Sequence, residues 1–251
     1  MKQLTKRSNG QMEQSNRIDD MFGGEGFEIP IDAPLPQIAV LRETPMFQRP
    51  DGETVKTVTG HIIYFHHANQ YYASAFGDGE PGPPDCASSD GIRPDGGDNI
   101  QAAACRQCPM NEYGSGEDGR GKACSNTIRL YFLADGEVIP SVLKASPSSL
   151  NKKGSLMKWL TNAPNVAAKA GAGTKYQPIK VELSLHKKDF DSGFSASVLD
   201  VKTVRVLDAS DQGDLAYLGK LAALYKEFTE HYLGRISGDV AGEQDDDRIP
   251  I

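Results

Sequence analysis

No run of apolar residues in this 251-residue chain approaches the ~20 that a membrane-spanning helix needs. The N-terminal MKQLTKRSNGQMEQSNR has no apolar core. No secretory leader is therefore expected, and the expected compartment is the reducing cytosol, where disulfides are disfavoured and metal binding by cysteine is favoured. An excess of positive charge is also lacking: the net charge is −7, which by itself argues against a nucleic-acid partner. That charge is uneven, however. The last fourteen residues, Gly238 to Ile251, hold five acids against Arg248, and the rest of the chain stands near −3. Histidine is too scattered to bind a metal. His66 and His67 point to opposite faces of one strand, and His61, His186 and His231 stand apart, so each is read as a surface or packing residue. No Asp…Glu-x-Lys pattern falls on adjacent strands; Glu182 with His186 and Lys187 comes nearest. A Mg2+-dependent nuclease thus lacks its carboxylate signature.

Cysteine occurs four times, and all four lie in one segment: Cys86, Cys105-Arg106-Gln107-Cys108 and Cys124. Between them run GIRPDGGDN and NEYGSGEDGRGKA. Such stretches have almost nothing apolar to bury and do not hold a shape by packing. Four thiols around a CxxC supply the ligand set of a structural zinc, with an iron–sulfur cluster and a redox pair as the alternatives. The redox pair lacks the strand-to-helix setting of a thioredoxin-like motif. With all four ligands used, such a site has no open position for catalysis.

Around this segment the chain reads as β-rich. Gln37–Leu41 reads as a first strand, and TVKTVTGHIIYFH (54–66) is the strongest β segment, with Gly60 marking a bulge or bend. Thr127–Leu133 alternates strictly, and Asp135-Gly136 turns it into a return strand over Glu137–Leu143. Ser146-Pro147 opens a helix expected to run to about Thr161 and to stop near Pro164. Two more strands follow, 179–186 and 194–206, joined by the basic tip HKKDFDSGF. Asp211–Leu233 carries an amphipathic helix that Gly234 stops. The expected fold is mainly β with two helices: a five-stranded Greek-key barrel of the OB type with a zinc-binding insertion at about 84–126. A generic α+β sheet with helices on one side is the alternative. Residues 1–30 are expected to form a disordered arm, 31–236 the folded domain and 237–251 a disordered tail.

The chain ends Asp245-Asp246-Asp247-Arg248-Ile249-Pro250-Ile251. An acidic run closing on a small apolar terminus suits a peptide that docks on a basic patch and inserts its last side chain; a solubilising tail is the plain alternative. This ending resembles that of bacterial single-stranded DNA-binding proteins, which close on Asp-Asp-Ile-Pro-Phe or near variants. Here Arg248 is inserted, and Ile251 replaces the terminal aromatic. CASSDG, CRQCPMNEYGSG and GRGKAC, followed by a strand, resemble the four-cysteine insertion of phage-encoded proteins of the same class. The looser resemblance spans roughly residues 35 to 207. It implies a non-enzymatic protein that coats single-stranded DNA in replication, recombination and repair and recruits partners through its tail.

Single-strand binding needs positive charge for phosphates and aromatic faces for bases. The candidates are Tyr64, Phe65, Tyr71, Tyr72 and Phe76; Arg120 and Lys122, with Tyr113; Arg129 and Tyr131; and Lys187, Lys188 and Phe190. Core packing is the plain alternative for the aromatics and a solvated surface for the lysines; Trp159 reads as core. Two rival functions remain: a nuclease or recombination enzyme with a structural four-cysteine site, and a zinc-bearing adaptor or transcription-regulatory protein.

Overall fold

The structure, a computed structural model, describes residues 35–41, 44–73, 83–116, 119–190 and 195–236. The expected N-terminal arm, Phe76 and the acidic tail with Asp245, Asp246, Asp247, Ile249, Pro250 and Ile251 lie outside the described residues.

The β-branched and aromatic run at 54–66 is extended, as its composition dictates. It divides into β3 (Thr54–Val55) and the long β4 (Thr57–Tyr71). Before it come β1 (Gln37–Val40) and β2 (Phe47–Gln48); after it comes the short β5 (Cys86–Ser88). Then follow β6 (Cys124–Ala134), β7 (Ser141–Ala145), helix α1 (Ser155–Lys169), β8 (Ile179–Asp189), β9 (Ser195–Val206) and helix α2 (Gln212–Ile236). The sheet order is β3-β2-β1-β7-β6-β4-β8-β9, with β5 added on β4. Among the described residues only β1 and β7 pair in parallel. Strands β4, β6 and β7 form an antiparallel meander, and the chain then returns through α1 to lay β8 against β4. That is the spatial order 4-1-2-3 of a Greek key.

The fold is mixed α+β: a curled half-barrel, mostly sheet, with two helices. The ladders do not close into five strands. Among the described residues β9 pairs only with β8, and the outer edge of β7 is taken by β1. Side-chain hydroxyls satisfy part of the open β9 edge instead. The Leu199 N–H donates to Ser149 Oγ (3.0 Å), the Val201 N–H to Ser155 Oγ (2.9 Å), and Ser197 Oγ to the Leu41 carbonyl (3.1 Å).

This edge also explains why the expected helix at 146–161 breaks in two. Pro147–Leu150 is a single 3-10 turn, and α1 begins only at Ser155, so that both serines reach β9. Pro164 does not end the helix but sits inside it; Leu156, Trp159, Ala163 and Ala167 stay buried on one face along its length. Together with Ile62, Leu130, Phe132, Leu143, Val181, Leu183 and Leu199 they fill the inside of the curl. Trp159 is tied to β9 through Nε1–H to Thr203 Oγ1 (3.1 Å).

The bulge in β4 falls at Ile62–Tyr64 rather than at Gly60. Gly60 has a different role: a Cβ there would stand 2.0 Å from the Leu133 carbonyl oxygen. The bulge turns both Ile63 and Tyr64 outward, where Ile63, Tyr131 and Leu133 meet Leu218, Leu221 and Tyr225 of α2. No helix among the described residues is long and apolar enough to cross a membrane.

Candidate functional site

The four cysteines come together from three directions. Tyr71, the last residue of β4, is opposite Cys86 on β5 and opposite Cys124 on β6. Directly paired residues share a sheet face, so Cys86, Tyr71 and Cys124 form one row. Cys105 and Cys108 sit on a 3-10 turn whose Cys108 N–H donates to the Cys105 carbonyl (3.4 Å). That turn is held by the Cys105 N–H to the Ile92 carbonyl (2.9 Å) and by Asn111 Nδ2 to the Cys105 carbonyl (2.8 Å). All four thiols are free and line a single cavity of about 20 Å³ with Asn69, Tyr71 and Asn111.

Burial pushes the Cys124 thiol up to about 12, reinforced by the like charges of Cys108, Cys105 and Cys86. Burial raises Cys86 as well, and Cys108 and Cys105 add to it. A cavity of this size admits one small occupant, and four thiols are the donor set of a closed tetrahedral site. The residues therefore fit a single thiophilic cation. They line the cavity without closing on a point: among the described residues no group of three or more His, Cys, Asp or Glu is assembled to ligate a metal.

The insertion around this cavity is knit by polar contacts, as its composition requires. Lys122 Nζ donates to Asn111 Oδ1 (3.0 Å) and Asn126 Oδ1 (2.9 Å), and Asn126 Nδ2 donates to Asn69 Oδ1 (2.7 Å). Asp90 Oδ1 accepts from the Ile92 N–H (2.6 Å) and the Arg93 N–H (3.1 Å). Gly97 has φ +97°, and a Cβ there would stand 2.3 Å from the Asp85 carbonyl oxygen. Glycine is needed at this point for the loop to pass close to β5.

Several candidates for nucleic-acid contact have other tasks. Tyr131 is 1% exposed, with its ring 5.2 Å from that of Tyr225 on α2, and so is core in the free protein. Tyr71 lines the cysteine cavity, and Lys122 binds two asparagines. Phe65 packs on Tyr176 with ring centroids 5.4 Å apart. Tyr72 is half-buried at the end of β4, and Arg120 and Tyr113 are exposed on the insertion. At the β8–β9 tip Lys187 is exposed, and Lys188 Nζ lies 4.7 Å over the Phe190 ring.

The register supplies a row that spacing alone does not reveal. On the outer face Tyr64 is opposite Tyr131, which is opposite Val142; the next row is His66, Arg129 and Lys144. Arg129 and Lys144 are half-buried, and Lys144 Nζ donates to Gln70 Oε1 (3.0 Å). Lys144 lies one residue past the expected return strand, which is why it escaped notice. His66 Nδ1 faces two carbonyls, Ser89 (2.6 Å) and His67 (3.0 Å), and therefore carries the proton. Its Nε2 then accepts from the Tyr131 hydroxyl (3.3 Å). Burial holds His66 below the usual histidine range, and the nearby Arg129 charge adds to this.

The curl brings the two long loops to one end. Ser197, near the β8–β9 tip, bonds Leu41 at the end of β1. β1 runs parallel to β7, and Ala145 of β7 is opposite Ile128, four residues after Cys124. No known protein family, curated protein or solved structure matches the chain.

Proposed function

We propose that the chain is a single-stranded DNA-binding protein of the OB type, acting without catalysis and carrying a structural zinc in its cysteine insertion. Counting β4, β6, β7, β8 and β9 as the five strands, with α1 between the third and fourth, gives the OB order. Such folds bind oligonucleotides over the face of strands 2 and 3 and with loops 1–2 and 4–5. Here those are the β6–β7 face, the cysteine insertion and the β8–β9 tip. The observation that carries the reading is that the basic and aromatic side chains fall on these three places: Tyr64, Arg129 and Lys144 on the face, Arg120 on the insertion and Lys187, Lys188 and Phe190 at the tip.

Cys86, Cys105, Cys108 and Cys124 would hold the zinc, which supplies a fixed tetrahedral anchor for the insertion. The protein's own part is to orient the loop: the 3-10 turn sets two thiols and the ends of β5 and β6 set the other two. The acidic tip with Asp245, Asp246, Asp247, Ile249, Pro250 and Ile251 recruits replication and recombination proteins, as in the phage-encoded class that the sequence resembles.

The test is fluorescence anisotropy of end-labelled oligo-dT and of duplex DNA, with and without Mg2+. Preference for the single strand without cleavage is expected. Mg2+-dependent degradation points to the nuclease, and absence of binding points to the adaptor. An external label is required, because Trp159 lies on α1 against β9, away from the proposed face.

A further inference from the structure

Helix α2 lies across the face just assigned to the nucleic acid. Its first turns have anchors besides that face. Asp208 and Asp211 form a capping box before it, Arg205 bonds Asp211 (2.6 Å), and the Tyr217 hydroxyl donates to the Val138 carbonyl (2.9 Å). Its middle rests on the outer face through Leu218, Leu221 and Tyr225.

Beside the aliphatic Ile63 and Leu133, what lies beneath is aromatic. Tyr64, His66 and Tyr131 form a continuous aromatic surface, with centroids 5.8 Å apart for Tyr64–Tyr131, 5.7 Å for His66–Tyr131 and 6.1 Å for Tyr64–His66. The Tyr64–His66 pair is stacked, and the basic Arg129–Lys144 row runs along its border. Ile63 and Leu133 seat the helix by aliphatic packing, whereas the hydroxyl and imidazole groups must each keep a hydrogen-bond partner when buried. Flat π faces flanked by cations are instead the surface on which unpaired bases stack.

We propose that Tyr64 and Tyr131, with His66 beside them, are a base-stacking platform covered in the free protein by α2 around Tyr225, and that single-stranded nucleic acid displaces this part of the helix to reach it. Tyr225 fills the space over Tyr131 that a base would need: its ring lies 5.2 Å away, tilted by 56°. The inference rests on the single-strand reading of the same face and adds a cover that gates it.

Hydrogen exchange on the full-length chain, with and without oligo-dT, tests this in the unaltered protein. Backbone amides over 221–229 are expected to lose protection when the oligonucleotide binds, while those of β6 and β8 keep theirs. Tyr225→Ala removes the ring that mimics a base and is expected to tighten oligo-dT binding by about 5-fold to 150-fold, the worth of one further stacked base. Tyr131→Leu in that background is expected to abolish the gain. Binding with unchanged or increased protection of α2 overturns the cover and leaves the single-strand reading intact. Absence of any binding by the wild-type chain overturns both. Should Tyr225→Ala not fold, the exchange experiment decides alone.

Discussion

Tyr131 shows how a residue's surroundings overrule its type. In sequence it alternates with the apolar residues of its strand and reads either as a nucleic-acid contact or as core; in the fold it is 1% exposed beneath α2. Tyr131→Ala is expected to lower stability by about 3–5 kcal/mol, the cost of emptying a large aromatic site, measured by urea unfolding. Tyr131→Phe, which keeps the ring, is expected to lose only about 1 kcal/mol, that of one hydrogen bond. Equal effects would mean that the hydroxyl, not the ring, matters. His61 and His66 are both held below the usual histidine range, chiefly by burial. Each stays neutral in the fold, while the unfolded chain takes up the proton near pH ~6.5. The unfolded state therefore binds more protons below that pH, and stability falls as pH drops from ~6.5 toward the lower folded values. Urea midpoints across pH 7.5 to 5 check this, and His66→Gln is expected to flatten the slope. A midpoint that does not change with pH would count against both assignments.

The cysteine insertion is an element with little apolar content, and its polar stitching through Lys122, Asn111, Asn126 and Asn69 is exposed or half-buried. Such contacts are individually weak in water. Removing the proposed zinc with a chelator, or Cys105→Ser, is expected to raise hydrogen exchange across 86–123 while β6, β8 and β9 remain protected. Global unfolding would show that the insertion supports the whole sheet rather than the reverse. Because the Cys124 thiol is pushed up to about 12, zinc uptake must expel protons, and the affinity is expected to fall as pH falls, with proton release visible by calorimetry in two buffers.

At the scale of the whole molecule, the β6–β7 face carries a basic row and the segment from Gly238 a net charge of −4. Affinity for oligo-dT is expected to fall linearly with log salt. Arg129→Gln with Lys144→Gln is expected to reduce that slope by about 0.7 per phosphate contact removed. Deleting Gly238–Ile251 is expected to tighten binding at low salt and to have little effect at high salt, where screening already separates tail and face. Unchanged low-salt affinity on deletion would leave the tail to partner recruitment alone.

The sequence by itself determined the elements whose periodicity is strong: the long β4, the alternating β6, the β8–β9 hairpin and the amphipathic α2. It also placed all four cysteines in one polar segment. Side-chain period and backbone propensity are local properties, so these features need no knowledge of neighbours. Tertiary structure alone decided the rest. Ser149 and Ser155 split an otherwise continuous helix signal because the open edge of β9 required hydroxyls. Register, set across strands far apart in sequence, put Lys144 beside Arg129 and Tyr71 between two cysteines. Burial of Tyr131 depended on where α2 came to rest, because exposure belongs to an arrangement of elements and not to any one of them.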